Sequence, residues 1–389
     1  MRRWRLWAWV PGLFLMVSGC ASAPAGDGLN RLDAPSRQWV THPAYYLQSV
    51  GGHLALLQAA RPVAEWMDDP ATPAALKQRL ELAQSIRDFA SDVLHLPRNA
   101  SYTRFADLQR RAVVWNVVAA PPHALALHTW CFPVAGCLGY KGFYAETAAR
   151  DFAATLPPEW DVGVYPVIAY STLGWTNWLG GDPLLSTFMH LPDGELARLI
   201  FHELAHQQLF LSGDTAFNES FATAVERLGG ALWLAQLASP RAREVYSTFD
   251  ARRQAFRALA RETRLSLQGL YEQATAEAWP HHQTEAVKAQ QLAAFRARYE
   301  ALKASWGGFA GYDLWAEQAN NALFAVQAAY DQWVPAFEAL FEVEGRDFPR
   351  FYEAARALSR LPAEKREARL KGLMPTGQRI HSSVSTSSM

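Results

Sequence analysis

The chain of 389 residues carries 37 Lys+Arg against 37 Asp+Glu, and half of its residues are hydrophobic. A formal net charge of zero implies neither nucleic acid nor an anionic surface as a partner. The composition is that of a globular enzyme with a large core, and its fifteen scattered Trp suit core and cleft walls better than a stacking platform for bases.

Arg2, Arg3 and Arg5 form a positive start, and the apolar run from Leu6 to Ser18 is too short for an ordinary membrane-spanning helix. Val17-Ser18-Gly19-Cys20 resembles the lipobox of bacterial lipoproteins. That resemblance implies a signal peptide over 1–19, lipidation of Cys20, and attachment to the membrane through the lipid. With Ala21 after the cysteine, it further implies the outer membrane of the bacterial envelope, facing the periplasm. Residues 21–30 are small and polar, and 20–35 is expected to be a lipidated tether. Two further cysteines, Cys131 and Cys137, are an even pair in an oxidising compartment and are expected to form a disulfide, with two free thiols as the alternative. No matching His or Cys pair accompanies them, which argues against zinc.

Helical spacing is expected over 64–95, interrupted near Pro70 and Pro73, and again over 103–112. The dense apolar run Ala112 to Ala120 reads as a strand or as the buried end of that second helix. Strand and turn are expected around Gly136 to Tyr140. Val162 to Thr172 is rich in Val, Ile and Tyr, and Pro166 inside it marks an edge strand. A peptide could add to such an edge, with Tyr170, Gly174 and Trp175 as the substrate-binding rim and Ser171, Thr172 and Leu173 between them. An ordinary edge strand without a ligand is the other reading.

The most informative segment follows. His202-Glu203-Leu204-Ala205-His206 sets two imidazoles one turn apart on one helix face, the spacing at which both can reach a single zinc ion. Glu203, between them, can take a proton from a water activated there. Helices are expected at 194–212 and 215–237. Asp193 is an N-cap candidate for the first, Gly213 a stop signal, and Asp214 or Thr215 a cap for the second. In an antiparallel pair, Glu219 comes level with His206 and Glu226 with His202. Either carboxylate could be the third ligand. Glu226 could orient His202 from behind, and Thr223 could stand behind the ligands as well; Glu219 is preferred as ligand only on the motif match around it.

His202 to Gln207, followed by Asn218-Glu219-Ser220-Phe221-Ala222, resembles the active site of the thermolysin-like (gluzincin) zinc peptidases, closest to their aminopeptidase branch. The resemblance implies His202, His206 and Glu219 as zinc ligands and Glu203 as general base. The spacer of twelve residues between His206 and Glu219 is shorter than in the well-known aminopeptidases. Their Gly-Ala-Met-Glu-Asn strand, which holds the substrate amine, has no counterpart here. Phe132 to Cys137, Tyr140 to Tyr144, Asp182 to Thr187 and Asn320-Asn321-Ala322 resemble a bacterial family of predicted aminopeptidases, usually lipoproteins.

Beyond the zinc helices, long helices are expected at 240–278, 283–305 and 312–344, then short ones at 347–360 and 362–371. Asn320 and Asn321 are candidate substrate contacts or caps. Tyr330, downstream of them, is the favoured donor to the oxyanion, with Tyr312, His281 and His282 as rivals. Residues 376–389 are rich in Ser and Thr and are expected to be disordered. The expected fold is mainly α with a small β-sheet (α+β), in which a gluzincin-like helix pair carries the zinc site under an edge strand. A single metallopeptidase-like domain spans 36–375. The expected function is a zinc-dependent aminopeptidase acting on a peptide substrate. Alternatives are a zinc endopeptidase of the envelope and a non-catalytic envelope scaffold with a zinc site.

Overall fold

The computed structural model describes residues 37–133, 136–169, 171–174 and 177–375, without the side chains of Trp178 and residues 328–331. The expected signal peptide, tether, Cys20, Tyr170, Trp175 and the tail from 376 lie outside the described residues, as does the Tyr330 side chain. The fold is mainly helical with little sheet, as the sequence leads one to expect, but its strands form three small sheets rather than one.

The chain opens with β1 (Arg37–Trp39), α1 (Pro43–Ala59), β2 (Arg61–Pro62), α2 (Val63–Asp68) and α3 (Ala74–Asp92). The gap between α2 and α3 falls at Pro70 and Pro73, with Pro73 as N-cap of α3. The helix expected at 103–112 does not form. Its place is taken by β3 (Arg104–Ala106), which pairs with β2 on one side and with β9 (Leu184–Leu185) on the other. The Asp107 carboxylate then accepts from Gln109 N at 3.2 Å, and Gln109 has a positive φ, so helix cannot follow.

The apolar run at 112–120 is a strand, β4 (Val114–Ala120), buried at every residue. It lies at the centre of a sheet, between β7 (Lys141–Phe143) and β8 (Asp161–Val167), both antiparallel to it. A central strand covered on both faces needs no polar alternation, which is why it reads as continuous apolar sequence. Pro166 sits in β8 at the sheet edge, where no neighbouring strand needs its missing N–H. β5 (Thr129–Phe132) and β6 (Gly136–Leu138) form a hairpin in which Cys131 and Cys137 are direct cross-strand partners, joined by a disulfide. α4 (Glu146–Ala153) packs on the central sheet.

α5 (Asp193–Gln208) and α6 (Thr215–Gln236) pack on each other more extensively than any other pair of elements. α5 starts one residue earlier than a cap at Asp193 would place it. Pro192 is the N-cap, and Asp193 lies in the first turn, paired with Arg79. α7 (Pro240–Ala276) and α8 (His281–Ser305) follow as a long hairpin. The helix expected over 312–344 is broken into α9 (Asp313–Glu317), α10 (Asn321–Asp331) and α11 (Val334–Val343). Asn320, in extended conformation, breaks it by accepting from Leu323 N as N-cap of α10. Pro335, in the first turn of α11, accounts for the second break. α12 (Phe348–Ser359) and α13 (Ala363–Leu373) close the described chain.

The main core joins α3, α5, α6, α11 and α12, with Phe201, Phe217, Phe221, Phe337 and Phe351 fully buried in it. The helix pair that carries the histidines is therefore seated in the best-packed part of the molecule. α10 lies across the sheet, so close that a Cβ on Gly163 of β8 would meet Leu323.

Candidate metal centre

Local sequence fixes the turn between α5 and α6. Asp214 caps α6 by accepting from Phe217 N at 3.0 Å, and its other oxygen takes two bonds from Arg366 of α13. The Asn218 amide bonds both backbone groups of Leu211, N and O, at 2.7 Å each. Asn218 thus braces the loop that returns the chain, and the next residue, Glu219, points at the histidines. Gly213, at φ +82°, supplies the left-handed residue in the turn.

His202 Nε2 lies 3.2 Å from His206 Nε2 and 3.3 Å from Glu219 Oε2, and His206 Nε2 lies 3.7 Å from Glu219 Oε1. Ligands about 2.0–2.1 Å from a tetrahedral zinc ion stand roughly 3.3 Å from one another. The donor set of two imidazoles and a carboxylate therefore fits one zinc ion in both chemistry and spacing. Among the described residues this is the one cluster of three or more His, Cys, Asp or Glu with ligand spacing. All three are almost out of water, with His206 and Glu219 buried and His202 nearly so.

Electrostatics separate the two imidazoles. Burial opposes the His202 cation, but Glu219 and Glu226 outweigh it and raise the pKa well above the ordinary value. Burial lowers His206 to about 4, which leaves its imidazole neutral and ready to ligate. His206 Nδ1 has no hydrogen-bond partner among the described residues. His202 Nδ1 likewise lacks a hydrogen bond of good angle, but it lies 3.1 Å from Glu226 Oε2, within ion-pair distance. Glu226 thus stands behind His202 while Glu219 stands beside the Nε2 pair, so the two carboxylates occupy different positions. Burial works against the Glu226 anion, yet Arg198 above all, and His202 after it, hold its pKa at about 2. Thr223 is buried on α6, one turn beyond Glu219.

Glu203 is half-buried on α5 between the histidines. Burial raises its pKa to about 7, with the negative charges of Glu219, Asp182 and Glu226 adding to the effect and His202 opposing it. No hydrogen-bond donor among the described residues engages its carboxylate. A carboxylate poised near neutrality, with its oxygens unspent, suits proton transfer.

The segment expected as a substrate rim divides. Ser171 and Thr172 are buried, and Asp182 holds them: Thr172 Oγ1 donates at 2.6 Å, Thr172 N at 3.1 Å and Ser171 Oγ at 3.4 Å. Gln207, which follows His206, donates to the same carboxylate at 3.2 Å and accepts from Asn99 at 2.7 Å. Leu173 and Gly174 both have positive φ, and a Cβ on Gly174 would meet Asn177 at 3.0 Å and Gln207 at 3.6 Å. Gly174 therefore turns the chain directly beside the histidine helix.

The two asparagines have structural occupations. Asn320, partly buried, caps α10 and donates to Val162 O at 2.9 Å, which is the cap alternative the sequence offered. Asn321 is fully buried, accepts from Tyr271 Oη at 2.8 Å, and donates to Pro121 O and Pro122 O, so its side chain anchors a loop. Of the rivals to Tyr330, Tyr312 stacks on Phe256 at 4.2 Å, while His281 and His282 are exposed at the start of α8. Tyr330 belongs to α10, which packs on α6. Three residues further on, Trp333 N donates to Ser220 Oγ at 3.0 Å, next to Glu219 in the chain.

Tyr165 of β8 was not singled out by the sequence. Its phenol accepts from Asn116 Nδ2 at 3.4 Å; burial raises its pKa to about 12, and the Glu219 charge adds to the shift. Nothing in the local sequence marks it, because its approach to α6 depends on how the sheet is packed.

Residues 44–370 match a family model described as "Putative aminopeptidase". No curated protein and no solved structure matches the chain.

Proposed function

The chain belongs to the "Putative aminopeptidase" family, and on that premise we propose that it is a zinc-dependent peptidase, acting as an aminopeptidase on the free amino end of peptides. The observation that carries this reading is the set of separations among His202, His206 and Glu219, 3.2, 3.3 and 3.7 Å, with Glu203 beside it on the same helix. His202, His206 and Glu219 would hold the ion, and Glu226 would orient His202. A zinc ion, when bound, supplies Lewis-acid polarisation of the scissile carbonyl and of the attacking water. The Glu203 carboxylate accepts the proton of that water and passes it to the leaving amine. A base has no use in a purely structural zinc site, which counts against a scaffold.

Digesting a peptide library with the purified, zinc-supplied protein tests the reading. Free-amine peptides shortened from the amino end support it, whereas no hydrolysis of any peptide removes it. The second reading, an envelope endopeptidase, draws on the short spacer between His206 and Glu219. Cleavage of N-blocked peptides as fast as free ones would favour it.

The developing oxyanion needs a donor besides the ion, and the reading assigns this to Tyr330. Tyr330→Phe should lower kcat by about a hundredfold or more, with KM little changed. Tyr165, whose phenol feels Glu219, is the comparison. If Tyr165→Phe shows the loss and Tyr330→Phe does not, the role moves to the edge strand.

Lipidation at Cys20, with the protein held to the bacterial envelope and facing the periplasm, is part of the same proposal. It is supported by the lipobox-like Val17-Ser18-Gly19-Cys20. No helix among the described residues is long and apolar enough to cross a membrane. Cys20→Ser should move the protein from the membrane fraction to the soluble fraction, and unchanged membrane association would contradict the assignment.

A further inference from the structure

We infer that Arg198 is a positioning residue of the metal centre: it clamps Glu226 against His202 and ties that histidine to helix α7. The inference rests on the zinc-site reading above.

Gly194, Arg198 and His202 are successive fourth residues on α5, so they stack on one helix face. Glu226 and Gly230 form the matching pair on α6. The Glu226 carboxylate spans the two rungs. Its Oε1 accepts from Arg198 Nη2, and its Oε2 lies 3.1 Å from His202 Nδ1. The other side of the guanidinium meets α7: Arg198 Nη1 donates to Tyr246 Oη at 3.0 Å and to Asp250 Oδ1 at 3.5 Å, and it lies 3.7 Å from Glu195 Oε1. Glu195 is held in turn by Arg253 at 2.6 Å.

The two glycines make this stack possible. A Cβ on Gly230 would come 2.6 Å from Arg198 Cγ, and one on Gly194 would come 2.5 Å from the Tyr246 ring. The packing has been opened for an arginine and a tyrosine where apolar side chains would have filled the space at no desolvation cost. The Arg198 side chain is only 5% exposed. Burying a guanidinium among carboxylates is a poor route to stability compared with apolar packing. What the network provides is an anion of fixed position on Nδ1 of one ligand. Such an acceptor sets the tautomer and ring plane that leave Nε2 free to bind a cation. Neither Nδ1 has a hydrogen bond of good angle among the described residues, but His202 Nδ1 has the Glu226 carboxylate at 3.1 Å, and no carboxylate among them lies within ion-pair distance of His206 Nδ1. Without Arg198, Glu226 keeps the attraction of the Arg257 charge but loses the guanidinium bonded to its Oε1, and holds the ring less firmly.

Zinc affinity of the full chain, measured by competition with a chromophoric chelator, tests the inference. Arg198→Met should bind zinc about 10- to 100-fold more weakly than wild type. Its far- and near-UV circular dichroism should be unchanged, and Arg198→Lys, which restores the charge, should recover part of the loss. In the cobalt-substituted protein the visible bands should shift in Arg198→Met, a signature that a role confined to packing would not produce. Equal zinc affinity in Arg198→Met and wild type overturns the inference while the zinc site stands. If Arg198→Met does not fold, Tyr246→Phe decides, since it removes only one hydroxyl from the clamp. A weaker zinc complex supports the inference, and an unchanged one overturns it. A wild type that takes up no zinc removes the site itself, and the inference with it.

Discussion

Glu203→Gln is expected to reduce peptide hydrolysis by about a hundred- to ten-thousandfold while zinc content and fold stay as in wild type. Glutamine has the shape of glutamate but cannot accept the proton. The effect should therefore fall on kcat, with KM nearly unchanged. The size of the effect follows from the surroundings. The carboxylate sits on α5 between the two histidines, burial pushes its pKa to about 7, and no donor among the described residues occupies it. A bound dication nearby would draw that value down and favour the anion, the form a base needs. Assay against a free-amine peptide, with zinc measured in the same sample, separates the two roles. Hydrolysis at the wild-type rate would take the role of base away from Glu203.

Glu219→Ala is expected to have the other large effect, on the metal itself. On the proposed zinc reading, two imidazoles on one helix turn make a weak site, and the third donor would come from a different helix, held by the Asn218 and Asp214 brace. Removing it should lower bound zinc well below one ion per chain and abolish hydrolysis. It should also remove the stabilisation that zinc gives the folded state, which for wild type is about 2.7 kcal/mol at free zinc one hundred times Kd. Elemental analysis and thermal melts with and without zinc measure both. A variant that kept stoichiometric zinc would shift the third ligand to Glu226. That outcome would have to reconcile zinc ligation with Arg198 already holding one Glu226 oxygen.

The parts legible in the sequence were those governed by local rules. Four-residue spacing put His202 and His206 on one face, and Asp214 announced the second helix as a cap. Pro166 marked β8 as an edge strand. The parts that were not legible depend on distant partners. Residues 104–106 have helical spacing, but they are recruited as a strand by β2 and β9, far away on either side in the chain. The break at Asn320 had a local signal, an asparagine pair, which reads equally well as a cap or as a substrate contact until Asn321 is seen enclosed by Tyr271, Pro121 and Pro122. No local rule accounts for glycine at 194 in α5 and at 230 in α6. Only their neighbours, Arg198 and Tyr246, explain them. Tyr165 belongs to the same class, since its closeness to α6 is a property of packing.

The account turns on one ion held by residues from two helices. Diffraction from zinc-loaded crystals, collected on both sides of the zinc absorption edge, addresses this directly. The predicted result is a single anomalous peak within ligand distance, about 2.0–2.2 Å, of His202 Nε2, His206 Nε2 and a Glu219 oxygen, with Glu226 on His202 Nδ1. No peak there, or a peak that leaves Glu219 without contact to the ion, would contradict it.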